Sequence, residues 1–404
     1  MRNWPRKSVL ACATISLLAA ARAQSDLPVP TATAAPGKSP AVAVLDPAEL
    51  EQWRNWTREV GWKVIAPAGL APNAAIDTRV QAVALAVGQA VTDGTVDAAH
   101  IYVAGRGEAA AAVFYTISRI PDLWAAGIAL GGSPKAAVNS DRIFAANFTH
   151  APVLWVSSGA GDAALAANLK NAGINMEWRA AAGLTNGVVF DWLLQHSRDQ
   201  FPSTIDCETN SPTFGNCYWV QMTKFDPNER NDVLPSTHLS AGNGAALDLG
   251  GFSAKMDDPS PGLLIAKLPE KYNGPLKVGD RLLELDGKPI ENARGYLDMM
   301  AKVTEEKRVA VMIQRGKDRQ RLETRIVLPV RDPVVTARVQ GKYDPETKGI
   351  DIVSRTVTEM KVTLPEAWLP AVISWNGLTL ENITKPGCLL LSMEKEILHA
   401  AVCQ

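Results

Sequence analysis

The stretch IYVAGRGEAAAAVFY, residues 101–115, constrains the fold of this chain more than any other. Residues 101–104 form a short apolar run that reads as a buried strand. The run enters a glycine turn, Gly105-Arg106-Gly107-Glu108-Ala109, and an alanine-rich helix follows. Strand, tight turn and helix in that order make one unit of a parallel α/β sheet. Gly107, at the apex of the turn, has no side chain with which to attack a substrate, so fold and chemistry have to be argued separately.

The same alternation extends from residue 41 to residue 200. Residues 41–45, 62–66, 125–130, 153–157 and 176–180 read as further strands. Residues 50–60, 76–92 and 165–172 read as helices, the first with Trp53 and Trp56 on adjacent turns. Strands separated by helices imply βαβ units. The order and landmarks resemble the α/β-hydrolase family, in particular its small esterase and polyhydroxybutyrate-depolymerase-like members. GWKVIAP (61–67) resembles the strand that ends at a proline. Residues 101–112 resemble the nucleophile elbow, where G-x-S-x-G puts a serine above the sheet. APVLWVSSGAGD (151–162) resembles the segment that delivers the catalytic acid, and residues 169–179 the helix and strand ahead of the catalytic histidine.

The resemblance implies the fold and, position by position, the loss of its chemistry. The elbow serine is replaced by Gly107, two residues after Gly105. The His-Gly loop expected to supply oxyanion-hole amides is Asp46-Pro47, and proline has no N–H to donate. The histidine position after residues 181–183 falls in LTNG, near Asn186. Only Asp162 survives as a remnant acid, and its ordinary reading, like that of Glu108, is a carboxylate at a helix start. Without nucleophile, base and half the oxyanion hole, no acyl-transfer mechanism remains. The alternative is a secreted serine esterase or depolymerase-like hydrolase with a relocated nucleophile. Ser133, Ser157 and Ser158 lie near strand ends, but no histidine occupies a recognisable base position for any of them.

Further along, PLKVGDRLLELDGKPI (275–290) resembles the signature of a PDZ domain spanning 244–330. Gly279-Asp280 makes a turn, residues 281–285 a strand, and Asp286-Gly287 a tight turn that requires positive φ. LDLGGFSAKM (247–256) resembles the carboxylate-binding loop and the strand after it, with Gly250 in the place of an apolar residue. Residues 293–303 would be the groove helix, and 309–315 and 321–328 close the sheet. The resemblance implies capture of a peptide or protein C-terminus by strand addition. Leu249, Gly250, Gly251, Phe252, Ser253 and Ala254 would form the loop and edge, and Leu297 and Met300 (or Met299) the side-chain pocket. A groove filled by the chain itself is the competing reading.

Residues 217–222, 334–343, 350–354, 359–364 and 372–375 read as strands, with Asn376-Gly377 a strong hairpin turn. They resemble the small C-terminal β-sandwich of secreted depolymerase-like hydrolases, assigned to 331–404. A sandwich needs more strands than that stretch supplies. Residues 201–243 are therefore expected to be a linker that lends strand 218–222 to it, with the PDZ-like segment inserted between.

The beginning of the chain points to export. Arg2, Arg6 and Lys7 precede an apolar run at 8–20 too short to span a bilayer, and Ala21-Arg22-Ala23 is an A-x-A cleavage site, so 1–23 reads as a signal peptide. Residues 24–40, rich in Pro, Ala and Thr, read as a disordered tether. Removing the signal leaves Cys207, Cys217, Cys388 and Cys403. Proximity favours Cys207–Cys217 and Cys388–Cys403 among the three pairings open to four cysteines. There is no CxxC, and histidines 100, 150, 196, 238 and 399 form no ligand pair, so neither metal nor cofactor is expected. A formal net charge of -1 over 404 residues gives no electrostatic case for nucleic acid. No later segment is apolar enough to cross a membrane. Together these features describe a periplasmic or extracellular binding or scaffolding protein with a pseudo-hydrolase domain.

Overall fold

The computed structural model describes residues 37–69, 74–159, 161–182, 185–229, 231, 233–239, 245–303, 305–328, 335–394 and 397–403. The expected signal peptide and the tether up to residue 36 lie outside the described residues.

The α/β unit runs through β1 (Ser39–Val44), α1 (Leu50–Val60), β2 (Lys63–Ile65), α2 (Ile76–Thr92), β3 (Val96–Arg106), α3 (Ala109–Arg119), β4 (Ala126–Leu130), α4 (Lys135–Val138), β5 (Ile143–Phe144), β6 (Val153–Ser157), α5 (Asp162–Asn171), β7 (Met176–Ala180) and α6 (Asn186–Leu194). β1 begins inside the stretch read as a tether, because Ser39 pairs with Val96 of β3. Six strands form one parallel sheet in the order β2-β1-β3-β4-β6-β7. Alternate strand residues feed two cores. Ala41, Ala43, Ile101 and Val103 pack with α2, α3 and α5, whereas Val42, Val44, Tyr102 and Ala104 pack with Trp53 of α1 and Phe190 and Leu193 of α6. Both faces are covered by helices, which is why these strands read as continuous apolar runs. The chain reverses its direction of travel across the sheet between β1 and β3. Such a switch point opens a crevice beyond the carboxyl ends of the strands.

Four short strands follow: β8 (Thr204–Thr209), β9 (Asn216–Cys217), β10 (Val220–Phe225) and β11 (His238–Leu239), the last paired with β5 of the α/β unit. Residues 245–328 then form a unit with its own core: β12 (Ala246–Leu247), β13 (Ser253–Ala254), β14 (Leu263–Lys267), β15 (Arg281–Leu285), β16 (Lys288–Pro289), α7 (Ala293–Ala301), β17 (Lys307–Arg315) and β18 (Asp318–Val327). Its sheet runs β12-β18-β17-β15-β14-β13, with β16 on β15. Asp286 (φ 53) and Gly287 (φ 77) make the tight turn between β15 and β16. Asp280 is structural here: its buried carboxylate accepts from the Lys277 amide at 2.7 Å and from Arg315 Nε and Nη2 at 2.9 and 2.7 Å.

The chain ends in β19 (Ala337–Asp344), β20 (Gly349–Arg355), β21 (Val357–Leu364), β22 (Ala371–Trp375), β23 (Leu378–Ile383), β24 (Gly387–Glu394) and β25 (Ile397–Val402). Two five-stranded sheets result, β25-β24-β21-β10-β9 and β23-β22-β20-β19-β8. Trp219, Trp375, Ile352 and Val362 fill the core between them. Strands from before and after residues 245–328 thus complete the same two sheets. Cys207 of β8 is bonded to Cys217 of β9, joining the sheets, and Cys388 to Cys403, tying β24 to the end of β25.

The α/β unit meets the sandwich through buried polar groups. Glu208 of β8 exchanges backbone bonds with the side chain of Asn147, which receives the Glu208 amide at 2.7 Å and donates to its carbonyl at 2.8 Å. The Glu208 carboxylate accepts from Ser236, Thr237, Thr336 and Arg355.

Candidate functional site

The turn between β3 and α3 owes its shape to glycines. A Cβ on Gly105 would stand 2.4 Å from the Ala109 carbonyl oxygen, and one on Gly132 would stand 1.7 Å from the Gly107 oxygen. Only glycine permits such close backbone approach. Gly107 is at φ +53, donates its amide to Leu130 O at 2.8 Å, and accepts from the Ala110 amide at 3.2 Å. A Cβ on Gly107 itself would meet nothing within 4 Å. The turn has room for a side chain at its apex and carries none.

Above this turn lies a cleft of about 650 Å³, reached by Gly107, Leu130 and Val156 at the ends of β3, β4 and β6 and by Asn186 at the start of α6. It occupies the switch-point position. Gly107 and Asn186 therefore share one cleft, but Asp162 does not line it. The Asp162 carboxylate accepts the Gly159 amide at 2.8 Å and fastens its own turn. Glu108 makes no capping bond to α3. Asp46 accepts from the Ala48 amide at 3.0 Å and starts the short helix at 47–49.

The three candidate serines have structural partners or lie apart from the cleft. Ser133 Oγ accepts from the Lys135 amide at 3.4 Å. Ser157 is fully buried and accepts from the Trp178 indole at 2.9 Å. Ser158 is exposed and does not line the cleft. None of the five histidines lines it either. His100 bonds Asp97 at 2.8 Å, His150 bonds Thr204 O, and His238 bonds Asp141 O. His196 packs on the Trp192 ring, where burial pushes its pKa down. His399 lies in β25.

Two groups in the cleft were not singled out from the sequence. Glu49 Oε1 accepts the Arg106 amide at 2.8 Å and Oε2 accepts the Trp53 indole at 3.1 Å. Burial raises its pKa, and these two donors only partly counter the shift. The Arg106 guanidinium lies over the Trp56 ring, 4.9 Å from the centroid.

In the 245–328 unit, Gly250 (φ +78) and Gly251 (φ +80) bend the loop ahead of β13. Tyr272 packs against Gly250. Its hydroxyl donates to Leu249 O at 2.6 Å and accepts from the Leu276 amide at 3.0 Å, and its ring would stand 3.0 Å from a Cβ on Gly250. No acceptor is present among the described residues for the amides of Gly250, Gly251 and Phe252. β13 ends the sheet, so one edge of Ser253–Ala254 has no strand partner among the described residues. Leu297 on α7 is 47% exposed, whereas Met300 is 4% exposed and belongs to the core. Met299 lines a separate cleft of about 410 Å³ with Asp286, Lys288, Lys302 and Lys307. Among the described residues no group of His, Cys, Asp or Glu is placed to hold a metal, and no helix is long and apolar enough to cross a membrane.

No family model matches this chain, and no curated protein matches it. Among solved structures, an HtrA-type protease, AlgW with a decapeptide, is similar at 17% identity over 22% of this chain and 31% of the protease, with a TM-score of 0.19. The chain thus spans less than a third of that protease's length. SOBER1 of Arabidopsis thaliana is similar at 16% identity over 39% of this chain and 98% of SOBER1, with a TM-score of 0.28. Esterase PE8 is similar at 16% identity over 40% of this chain and 90% of PE8, with a TM-score of 0.27.

Proposed function

We propose that this is an exported, non-catalytic binding or scaffolding protein, in which a hydrolase-like α/β unit without acyl-transfer apparatus and a β-sandwich carry a PDZ-like unit that takes peptide or protein C-termini. The observation that carries this reading is the pairing of a loop with an open edge at residues 249–254. Amides of Gly250, Gly251 and Phe252 without acceptors suit a terminal carboxylate, and the unpaired edge of β13 suits an added strand. Exposed Leu297 offers apolar surface for a side chain. In the α/β unit, acyl transfer requires a nucleophile and a base within hydrogen-bond reach of each other. At the expected nucleophile and base positions the cleft offers Gly107 and Asn186, neither of which can play that part; its lining hydroxyl, Thr185, caps α6 by accepting the Val188 amide, and Glu49 accepts from the Arg106 amide and the Trp53 indole. Two disulfides fit an oxidising compartment.

Fluorescence polarisation with a library of C-terminal peptides tests the reading. Peptides with a free carboxylate and an apolar last residue should bind, and their amidated counterparts should not. If no free-carboxylate peptide binds, or amidation makes no difference, the peptide-binding role is wrong.

A further inference from the structure

The cleft of the α/β unit contains, among its described lining residues, one cation, Arg106, and one acid, Glu49, which attract each other without forming an ion pair. Among the described residues the Arg106 guanidinium has no hydrogen-bond acceptor and no carboxylate within ion-pair distance, and its Nη1 is buried without a partner. Burying a guanidinium nitrogen unpaired is unfavourable, because water's hydrogen bonds are lost and nothing replaces them. Stacking on Trp56 offsets only part of that loss. Glu49, the acid in the described lining, attracts Arg106 from beyond ion-pair distance, while its oxygens accept from the Arg106 amide and the Trp53 indole.

The surroundings define what would complete the site. The volume of about 650 Å³ falls in the range of small-molecule sites, about 300–1,000 Å³. Leu130, Val156, Val189 and Trp56 supply apolar walls, and Arg106 is the sole cation among the described lining residues. A guanidinium matches one planar carboxylate in a bidentate fork. A dianion such as a phosphate would need more positive charge, and Glu49 would oppose it. Gly107 and Gly131 leave the floor beneath free of side chains, and the cleft lies at the sheet's switch point, where α/β folds bind ligands.

We propose that this cleft is a binding site for a small organic monocarboxylate with an apolar body, the carboxylate held by the Arg106 guanidinium over Trp56. The site stands whether or not the PDZ-like unit takes peptides, and it requires no chemistry at Gly107.

Isothermal titration calorimetry of the purified protein with octanoate, octan-1-ol and octyl phosphate tests it. Octanoate should bind at least about tenfold more tightly than octan-1-ol, and Arg106→Gln should weaken octanoate by about ten- to a hundredfold, the worth of a charge-assisted hydrogen-bonded pair. Octan-1-ol affinity should not change in that variant. Equal binding of octanoate and octan-1-ol, undiminished octanoate binding by Arg106→Gln, or no octanoate binding at all overturns the proposal. Tighter binding of octyl phosphate than of octanoate overturns the assignment to a carboxylate. Should Arg106→Gln fail to fold, the comparison of the three probes on the native protein decides alone.

Discussion

Glu208→Gln tests how the α/β unit is fastened to the sandwich. Glu208 is fully buried. Its Oε1 accepts from Ser236 Oγ at 2.6 Å, from Thr336 Oγ1, and from Arg355 Nη2 at 2.9 Å; its Oε2 accepts from the Thr237 amide at 2.6 Å and the Thr237 hydroxyl at 2.7 Å. Glutamine keeps one oxygen and turns the other into a donor. Hydroxyls can rotate away from that new donor, but the Thr237 amide and the Arg355 guanidinium cannot. One orientation of the amide leaves the Thr237 N–H unsatisfied, the other leaves Arg355 Nη2 with Thr336 Oγ1 alone, and in both Arg355 loses its counter-charge. Removing one partner of a buried pair costs about 3–5 kcal/mol. Differential scanning calorimetry of native and variant protein reads the loss. The core of residues 245–328 is separate, so its transition serves as an internal reference and should stay in place. A loss under about 1 kcal/mol, below the worth of one buried charged hydrogen bond, would refute the reasoning. Acid should mimic the substitution. Burial raises the Glu208 pKa, but the bonds from Ser236, Thr336 and Thr237 together outweigh it, leaving the group below its ordinary 4.5. A carboxyl with a depressed folded pKa stabilises fully above its unfolded value and loses that contribution as pH falls through the folded one. The native protein should therefore lose stability on the acid side of 4.5 more steeply than Glu208→Gln.

Three further substitutions follow from the geometry. Gly105→Ala, with a Cβ 2.4 Å from Ala109 O, should cost about 1–3 kcal/mol or more in overpacking. Gly107→Ala, with open space but φ +53, should cost only the left-handed strain of about 1–2 kcal/mol; thermal unfolding of the pair that finds Gly107→Ala the more damaging would contradict the account of the turn. Tyr272→Phe removes the hydroxyl that joins Leu249 O to the Leu276 amide. It should lose about 1–3 kcal/mol in urea unfolding and weaken binding of free-carboxylate peptides, and unchanged peptide affinity would show that the loop is shaped by something else. Replacing Cys388 and Cys403 by serine opens a loop with a sequence separation of 15, which should cost about 3 kcal/mol on the chain-entropy reckoning, measured by urea unfolding, without reductant, against the disulfide-bonded native protein.

Where structure follows from local pattern, it was legible. The bounds of α1 and α2 match the apolar periodicity, and α1 stops at Gly61 in the left-handed region. Asn376 (φ 48) and Gly377 (φ 87) turn the hairpin that their identity announces. β3 is longer than its apolar run because Asp97 and His100, which break the pattern, are buried against each other. α5 begins earlier than residue 165 because the Asp162 carboxylate holds the preceding Gly159 amide. That the turn carries no side chain at Gly107 can be read from a single letter. The cleft around it cannot, because the bond from the Arg106 amide to Glu49 joins residues 57 apart and leaves no local trace. Tyr272 is equally hidden: Gly250 looks like a departure from the loop pattern until a ring from elsewhere is found against it. The partners of Glu208 lie up to 147 residues away.

Whether this protein binds rather than transfers acyl groups is tested most directly by exposing the purified native chain to a fluorophosphonate serine probe and mapping any adduct by peptide mass. No serine should be labelled, Ser133, Ser157 and Ser158 included. Stoichiometric labelling of any one serine would mean that a nucleophile and its base exist outside the cleft at Gly107, and that the protein is an enzyme.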